Sequence, residues 1–249
     1  MTEGLRQVAK PVLPIWRENA CHRQERELLF GERFTVQSEI AGIGFGFAEK
    51  DGYRGFVDVS GLGEPSQASH FVSTRGSHIY PAADIKSASP AGLSFGSRLK
   101  VTGSSGKFVQ ISDGGYVPAS HVRPLATKME EPAAVAEMFL GAPYLWGGNS
   151  CWGIDCSGLV QVALTACGID CPADSGEQRD VVGFSFGDNV AIERGDLFFW
   201  NSHVAMALDQ QNLIHATGFH MAVVAEGIQE VIDRIADLGE GPVLARRRP

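Results

Sequence analysis

Apolar and polar residues change their rhythm along the chain, and the change divides it. Between residues 11 and 125 the apolar positions come in short alternating runs broken by Gly, Asp and Ser, the pattern of brief strands and tight turns. A faint repeat runs through this part. Residues 31–36 (GERFTV) followed by 51–57 (DGYRGFV) parallel 96–101 (GSRLKV) followed by 113–117 (DGGYV), at a period of about 60 residues. The repeat predicts two small β-barrels, joined by a linker at 63–69 (GEPSQAS). A second linker, 127–132, leads into the rest of the chain. Pro132 suits the first turn of a helix over 133–140.

Beyond that point the apolar runs lengthen. Leu159, Val160, Val162, Ala163, Leu164 and Ala166 predict a buried helix over 156–167, with Asp155 as its N-cap and Gly168 just past its end. A loop at 172–176 follows, with the start of a short helical turn at 177–180. Strands are expected at 195–200, 203–208, 212–217 and 221–225, with a tight turn at 209–211. Helical spacing returns over 227–238 through Ile228, Val231, Ile232, Ile235 and Leu238, and 242–245 supplies a last strand. Helices beside an antiparallel sheet make this part α+β. The domains expected are therefore 1–62, 63–126 and 127–249.

Chemistry concentrates in the second part. Cys156 would be the first helical residue, where unpaired amide N–H groups and the positive end of the dipole favour a thiolate. Cys167, inside the apolar run, reads instead as a small buried hydrophobe. A thiolate needs a base, and His203 and His215 open one predicted strand and sit within the next. Antiparallel pairing would bring the imidazoles together, one to take the thiol proton and one to orient it. His220, five residues beyond His215, falls on the opposite face or in a turn, while His22, His70, His78 and His121 have no motif around them.

The chain has 249 residues, 44% of them hydrophobic, enough for two or three small domains. A formal charge of −8 argues against a nucleic-acid surface, and Arg246, Arg247 and Arg248 read as a solvated strand end. No apolar stretch suits an export signal or a membrane span, so a cytoplasmic protein without a membrane partner is expected. Five cysteines form no even disulfide framework. Cys151, Cys156, Cys167 and Cys171 cluster without a close Cys-x2-Cys pair, so neither metal nor cofactor is expected.

The run PYLWGG, DCSGL, GDLFFW, HVAMAL and LIHA resembles the NlpC-type cell-wall peptidases, which are papain-like cysteine hydrolases. The resemblance covers roughly 128–249. It implies an α+β papain-like catalytic domain with Cys156 as nucleophile, His203 as general base and His215 as the third member. It also places Tyr144 near the oxyanion hole, with the Cys156 N–H as a second donor. The two barrels resemble bacterial SH3-like domains, the first more closely, since Pro118 stands in the second where Gly-Trp is usual.

Relatives with such barrels cut the bond between γ-D-glutamate and a diamino acid in peptidoglycan peptides, often requiring a free N-terminal L-alanine. The resemblance therefore implies a small peptidoglycan-derived peptide as substrate. Asp155 and Asp174 become candidates for its amine, and Ser157 and Ser175 for its carboxylate beside a helix N-terminus. Tyr53 of the first barrel would reach over the cleft, with Glu18 or Glu32 supplying a further carboxylate. Asp155 could equally be a cap, Asp174 a turn residue, Ser157 a first-turn residue and Tyr53 barrel packing. Trp146, Trp152 and Trp200 are expected in the cleft walls. Two other readings are an amidase or acyltransferase using the same thiol, and a non-catalytic wall-binding protein. The oligomeric state is not legible.

Overall fold

The computed structural model describes residues 4–88 and 90–249. Its contacts divide the chain into two units. One runs to Thr127 and takes in 149–151, and the other comprises Lys128–Gly148 and Trp152–Pro249.

The first unit is all β. Its seven-stranded antiparallel sheet has the order Gln24–Leu29, Val12–Trp16, Arg54–Asp58, Ile43–Ala48, Arg33–Ile40, Gly4–Val8 and Leu62–Gly63. Alternation along these strands sends Leu13, Ile15, Leu28, Phe34, Val36 and Val57 into one core. Gly46 is required by close approach, because a Cβ there would lie 1.9 Å from the Thr35 carbonyl oxygen. The sheet extends to Gly63, one residue past the boundary expected at 62. A second core, built from Val72, Leu93, Leu99, Ile111 and Val117, is closed by shorter strands between His70 and Pro124, and Phe30 joins it.

The internal repeat has a structural counterpart. In both halves the Gly-aromatic strand runs into a single 3₁₀ turn, Val59–Gly61 in one and Ala119–His121 in the other. Asp58 caps the first turn, its Oδ1 accepting from the Ser60 N–H at 2.9 Å. Pro118 occupies the matching place and makes no side-chain cap.

The second unit is built on a six-stranded antiparallel sheet. Its order is Phe184–Ser185, Ala245–Arg248, Leu197–Phe199, Val204–Ala207, Asn212–Thr217 and Ala222–Gly227. Four helices accompany it: α1 (Pro132–Glu137), α2 (Cys156–Ala166), α3 (Ser175–Val181) and α4 (Ile228–Asp237). Phe198, Trp200, Ala205, Ala207 and Leu213 pack with Ile228, Val231 and Ile235 of α4. Helix α2 packs against α1 and against the strands Val204–Ala207 and Asn212–Thr217. The strand Val204–Ala207 is buried at every position, which explains its continuous apolar run. No helix among the described residues is long and apolar enough to cross a membrane.

Three expectations need correction here. Residues 175–181 form helix α3, beginning within the predicted loop. The last strand is Ala245–Arg248 rather than 242–245, so the basic run is not a solvated end. Arg246 stands opposite Phe198 and lies over its ring, while Arg247 donates to the Val182 carbonyl and Arg248 grips Asp196. Guanidinium groups with partners can occupy a sheet interior that free charges would avoid. Third, Trp200 is only 1% exposed and stacks on Phe198, so it is core rather than cleft wall. Trp146 and Trp152 are exposed.

Asp196 is 1% exposed and accepts from Arg248 through both oxygens at 2.8 Å, and from the Glu193 N–H at 2.8 Å. Removing one partner of such a pair leaves several donors unanswered. Asp196→Ala should therefore lower the thermal unfolding midpoint by on the order of 5 °C. A midpoint unchanged in a circular-dichroism melt would show that the pair contributes nothing to stability.

Candidate active site

Cys156 opens α2, and the chain leading to it is stitched in place. Asp155 is the N-cap: its Oδ1 accepts from the Gly158 N–H at 2.6 Å and its Oδ2 from the Gly147 N–H at 2.9 Å. The same carboxylate therefore caps the helix and pins the glycine loop before it. Gly148 must be glycine, because a Cβ would lie 2.5 Å from the Gly153 carbonyl oxygen. Tyr144 runs beside Ile154, with its amide donating to the Met221 carbonyl at 2.9 Å. Cys156 itself is 8% exposed.

A second set of bonds holds the other side of the helix start. Gln178 of α3 is fully buried, and its Nε2 donates to the Ser157 and Pro172 carbonyls, both at 2.9 Å. Gln161 donates to the Cys171 carbonyl at 3.2 Å. The loop between α2 and α3 is thus tied to α2 through side-chain amides reaching backbone acceptors.

The imidazoles meet on neighbouring strands. Met206 stands opposite Ile214, and the connecting turn is closed by Asp209, whose Oδ1 accepts from the Gln211 and Asn212 N–H groups at 2.7 and 2.8 Å. His203 Nε2 lies 2.7 Å from His215 Nδ1, and His215 Nε2 lies 2.7 Å from Glu226 Oε2. Arg234 of α4 donates to both Glu226 oxygens, at 2.5 and 2.7 Å, and His220 Nε2 sits 3.1 Å from Glu226 Oε1. Four side chains from two strands, a loop and a helix converge on the far end of the histidine pair.

Burial dominates the proton affinities. It pushes His203 down to about 3, aided by its neighbour His215 and the positive charge of Arg234 and opposed by Glu226. Burial lowers His215 as well, against its bond and attraction to Glu226. It would raise Glu226, but the hydrogen bonds from Arg234, His215 and His220 prevail and hold that carboxyl at about 2. Tyr144 is pushed up, first by burial and then by the negative charges of Cys156, Asp155 and Glu240, so its hydroxyl keeps its proton.

The other sequence candidates fall in different places. Ser157 is buried, and its hydroxyl donates to Asp155 Oδ1 at 3.2 Å, beside the helix cap. Asp155 likewise spends both oxygens on backbone N–H groups. Asp174 is exposed at the N-cap position of α3 and makes no side-chain cap, and Ser175 is the first residue of that helix. Tyr53 lies in the first unit, packed against its core with the Arg26 guanidinium 5.5 Å from its ring centre. Glu32 accepts from the Leu29 N–H and from Lys50 inside that unit, so its carboxylate is already committed. Glu18 is exposed on a turn. His220 joins the site as a partner of Glu226, not as the third member.

Sequence reasoning missed Glu226, Arg234 and Gln178. Glu226 hid at the junction of a predicted strand and a predicted helix. The register offered a signal, since His215 pairs with Val224 and Glu226 lies two residues on, hence on the same face. Among the described residues, no three His, Cys, Asp or Glu side chains are arranged to hold a metal ion.

Comparisons with known proteins follow the same division. Residues 141–232 match the NlpC/P60 family, and residues 16–62 match the bacterial dipeptidyl-peptidase Sh3 domain. A gamma-D-glutamyl-L-lysine dipeptidyl-peptidase of Bacillus cereus is 39% identical over 89 residues, covering 32% of this chain and 26% of that protein. Its namesake in Bacillus subtilis is 38% identical over 97 residues, 38% of this chain and 29% of that protein. The peptidoglycan endopeptidase RipB of Mycobacterium tuberculosis is 32% identical over 99 residues, 32% of this chain and 39% of that protein. The matches thus span well under half of the curated relatives' length. A crystal structure of an NlpC/P60 family protein from Bacillus cereus superposes with a TM-score of 0.82 over 98% of this chain and 99% of that one, at 18% identity. That likeness shows the fold: an α+β papain-like unit preceded by two SH3-like barrels.

Two imidazoles held below their ordinary value, His215 buried and His203 half-buried, make stability depend on acid. The unfolded chain takes up protons near pH 6.5, whereas folded His203 does so only near 3. Stability is therefore complete above pH 6.5 and declines as pH falls toward the folded value. Urea midpoints should drop between pH 6.5 and 5, a window above that of Glu226, and the drop should shrink in His203→Asn. An identical pH dependence in that variant would contradict the assignment.

Proposed function

Because the chain carries an NlpC/P60 cysteine-peptidase domain behind a bacterial dipeptidyl-peptidase SH3 domain, we propose that it is a γ-D-glutamyl-L-diamino acid endopeptidase. Its substrates are short peptidoglycan peptides with a free N-terminal L-alanine, released from the wall and recycled in the cytoplasm. The observation that carries the thiol chemistry is a cysteine at the first position of α2, which packs on strands bearing a hydrogen-bonded histidine pair. The names of the Bacillus relatives support the choice of bond.

In this reading Cys156 is the nucleophile. His203 spends Nε2 on His215, so Nδ1 takes the thiol proton. The thiolate attacks the γ-glutamyl carbonyl. The oxyanion is received by the Cys156 N–H, at the first position of α2, and by the Tyr144 hydroxyl, which burial keeps protonated. The imidazolium returns its proton to the departing amine, and water then hydrolyses the thioester. Asp174 and Ser175, at the start of α3, remain the candidates for the substrate's amine and carboxylate. Titration of the thiol and imidazole predicts a bell-shaped dependence of kcat/KM on pH.

The test is mass spectrometry of purified protein with L-Ala-γ-D-Glu-meso-diaminopimelate and its N-acetylated copy. Release of L-Ala-D-Glu from the free peptide alone is expected, with turnover lost by a factor of about 10³ or more in Cys156→Ala. Cleavage of both peptides would discard amine recognition. Cleavage of neither, with Cys156-dependent activity on other amides, would favour the amidase or acyltransferase. Turnover of intact sacculi without turnover of the free peptide would sink the recycling role. Binding to peptidoglycan by an inert protein would favour the wall-binding reading.

A further inference from the structure

We infer that Glu226, held by Arg234, is a positioning residue of the thiol site, which sets the protons on both histidines so that His203 presents a bare Nδ1 to Cys156. The inference rests on the thiol reading above and deepens it. Neither the fold nor the pairing of the two histidines by itself decides where their protons sit.

The proton positions follow from one end of the chain of bonds. Arg234 grips both oxygens of Glu226, at 2.5 and 2.7 Å, which fixes the plane of the carboxylate. Despite burial, the hydrogen bonds from Arg234, His215 and His220 keep the group ionised. An ionised carboxylate can only accept, so the 2.7 Å contact requires the proton of His215 to be on Nε2. Nδ1 of neutral His215 is then an acceptor. His203 Nε2, 2.7 Å away, must be the donor, and its Nδ1 carries no proton. The opposite tautomers would aim two lone pairs at each other across the Glu226 contact.

The same carboxylate matters after the proton moves. Transfer from the Cys156 thiol to His203 Nδ1 leaves a thiolate and an imidazolium, with no other bond made or broken. Burial and the positive charge of Arg234 disfavour the imidazolium, and the charge of Glu226 opposes them. His220 faces Glu226 from the turn, Asp155 and Tyr144 flank the cysteine, and Glu240 bears on Tyr144. Among these, only Glu226 is bonded to the histidine pair.

The decisive experiment measures the rate at which iodoacetamide alkylates Cys156 as a function of pH, followed by mass of the Cys156 peptide. It needs no substrate, so it can fail or succeed independently of the peptide specificity proposed above. In Glu226→Gln the amide offers one acceptor where Arg234 and His215 present three donors. It must set an N–H against Arg234 or turn and reverse both tautomers. The rate at pH 7 should fall by about tenfold and the midpoint rise by about one pH unit. Nitrogen-15 NMR of the histidines should show the His203 proton on Nε2 in the native protein and displaced in the variant. Arg234→Gln, a change on a surface helix, should give a smaller loss of about threefold. Native alkylation rates and native His203 tautomer in Glu226→Gln would overturn the inference. If that variant does not fold, an unchanged rate in Arg234→Gln would overturn it instead, and a reduced one would support it.

Discussion

Enclosure of a hydrogen-bonded histidine pair, His215 buried and His203 half-buried, is the constraint on which the rest of this site depends. A histidine held in apolar surroundings resists becoming charged, yet a thiol hydrolase needs a base that becomes charged at every turnover. His203 is in that position, with its affinity for protons pushed far down. The hydrogen bonds from His203 through His215 to Glu226 also keep the rings in one geometry. Glu226, bonded to His215 and held in place by Arg234, offsets part of that electrostatic cost.

The surrounding fold can be understood as the support of that line. Helix α4 packs through Ile228, Val231 and Ile235 onto the sheet and so delivers Arg234 to Glu226. Helix α2 lies along the strands of the two histidines, with Asp155 and Gln178 fixing its first turn through backbone hydrogen bonds. The loop before Cys156 depends on glycine because its backbone passes too close for a Cβ. Loss of a buried donor here acts on both stability and chemistry, since the groups that close the helix end also place the thiol.

Division of labour along the chain is marked. The first unit is two small β cores with charged pairs committed internally, as Glu32 with Lys50 illustrates. The second holds Cys156, both histidines, Glu226 and Arg234. The basic strand Ala245–Arg248 shows how far charge can be taken into a sheet when each guanidinium has carboxylate, carbonyl or aromatic partners.

Local pattern alone determined a good deal of this protein. Asp155 before an apolar run announced the helix and put Cys156 at its start, because capping is a property of a few adjacent residues. The 203–208 and 212–217 runs around a polar turn announced the paired strands, since a short hairpin leaves little choice of partner. What could not be read was whatever depends on elements distant in the chain. Glu226 and Arg234 meet His215 only because α4 folds back on the sheet. Trp200 became core and the Arg246–Arg248 run became an inner strand because neighbours from elsewhere covered them. That Asp155 would bind the Gly147 N–H as well as cap α2 was likewise decided by how the preceding loop folds back. A residue type states what a group can do, and only tertiary structure decides which partner reaches it first.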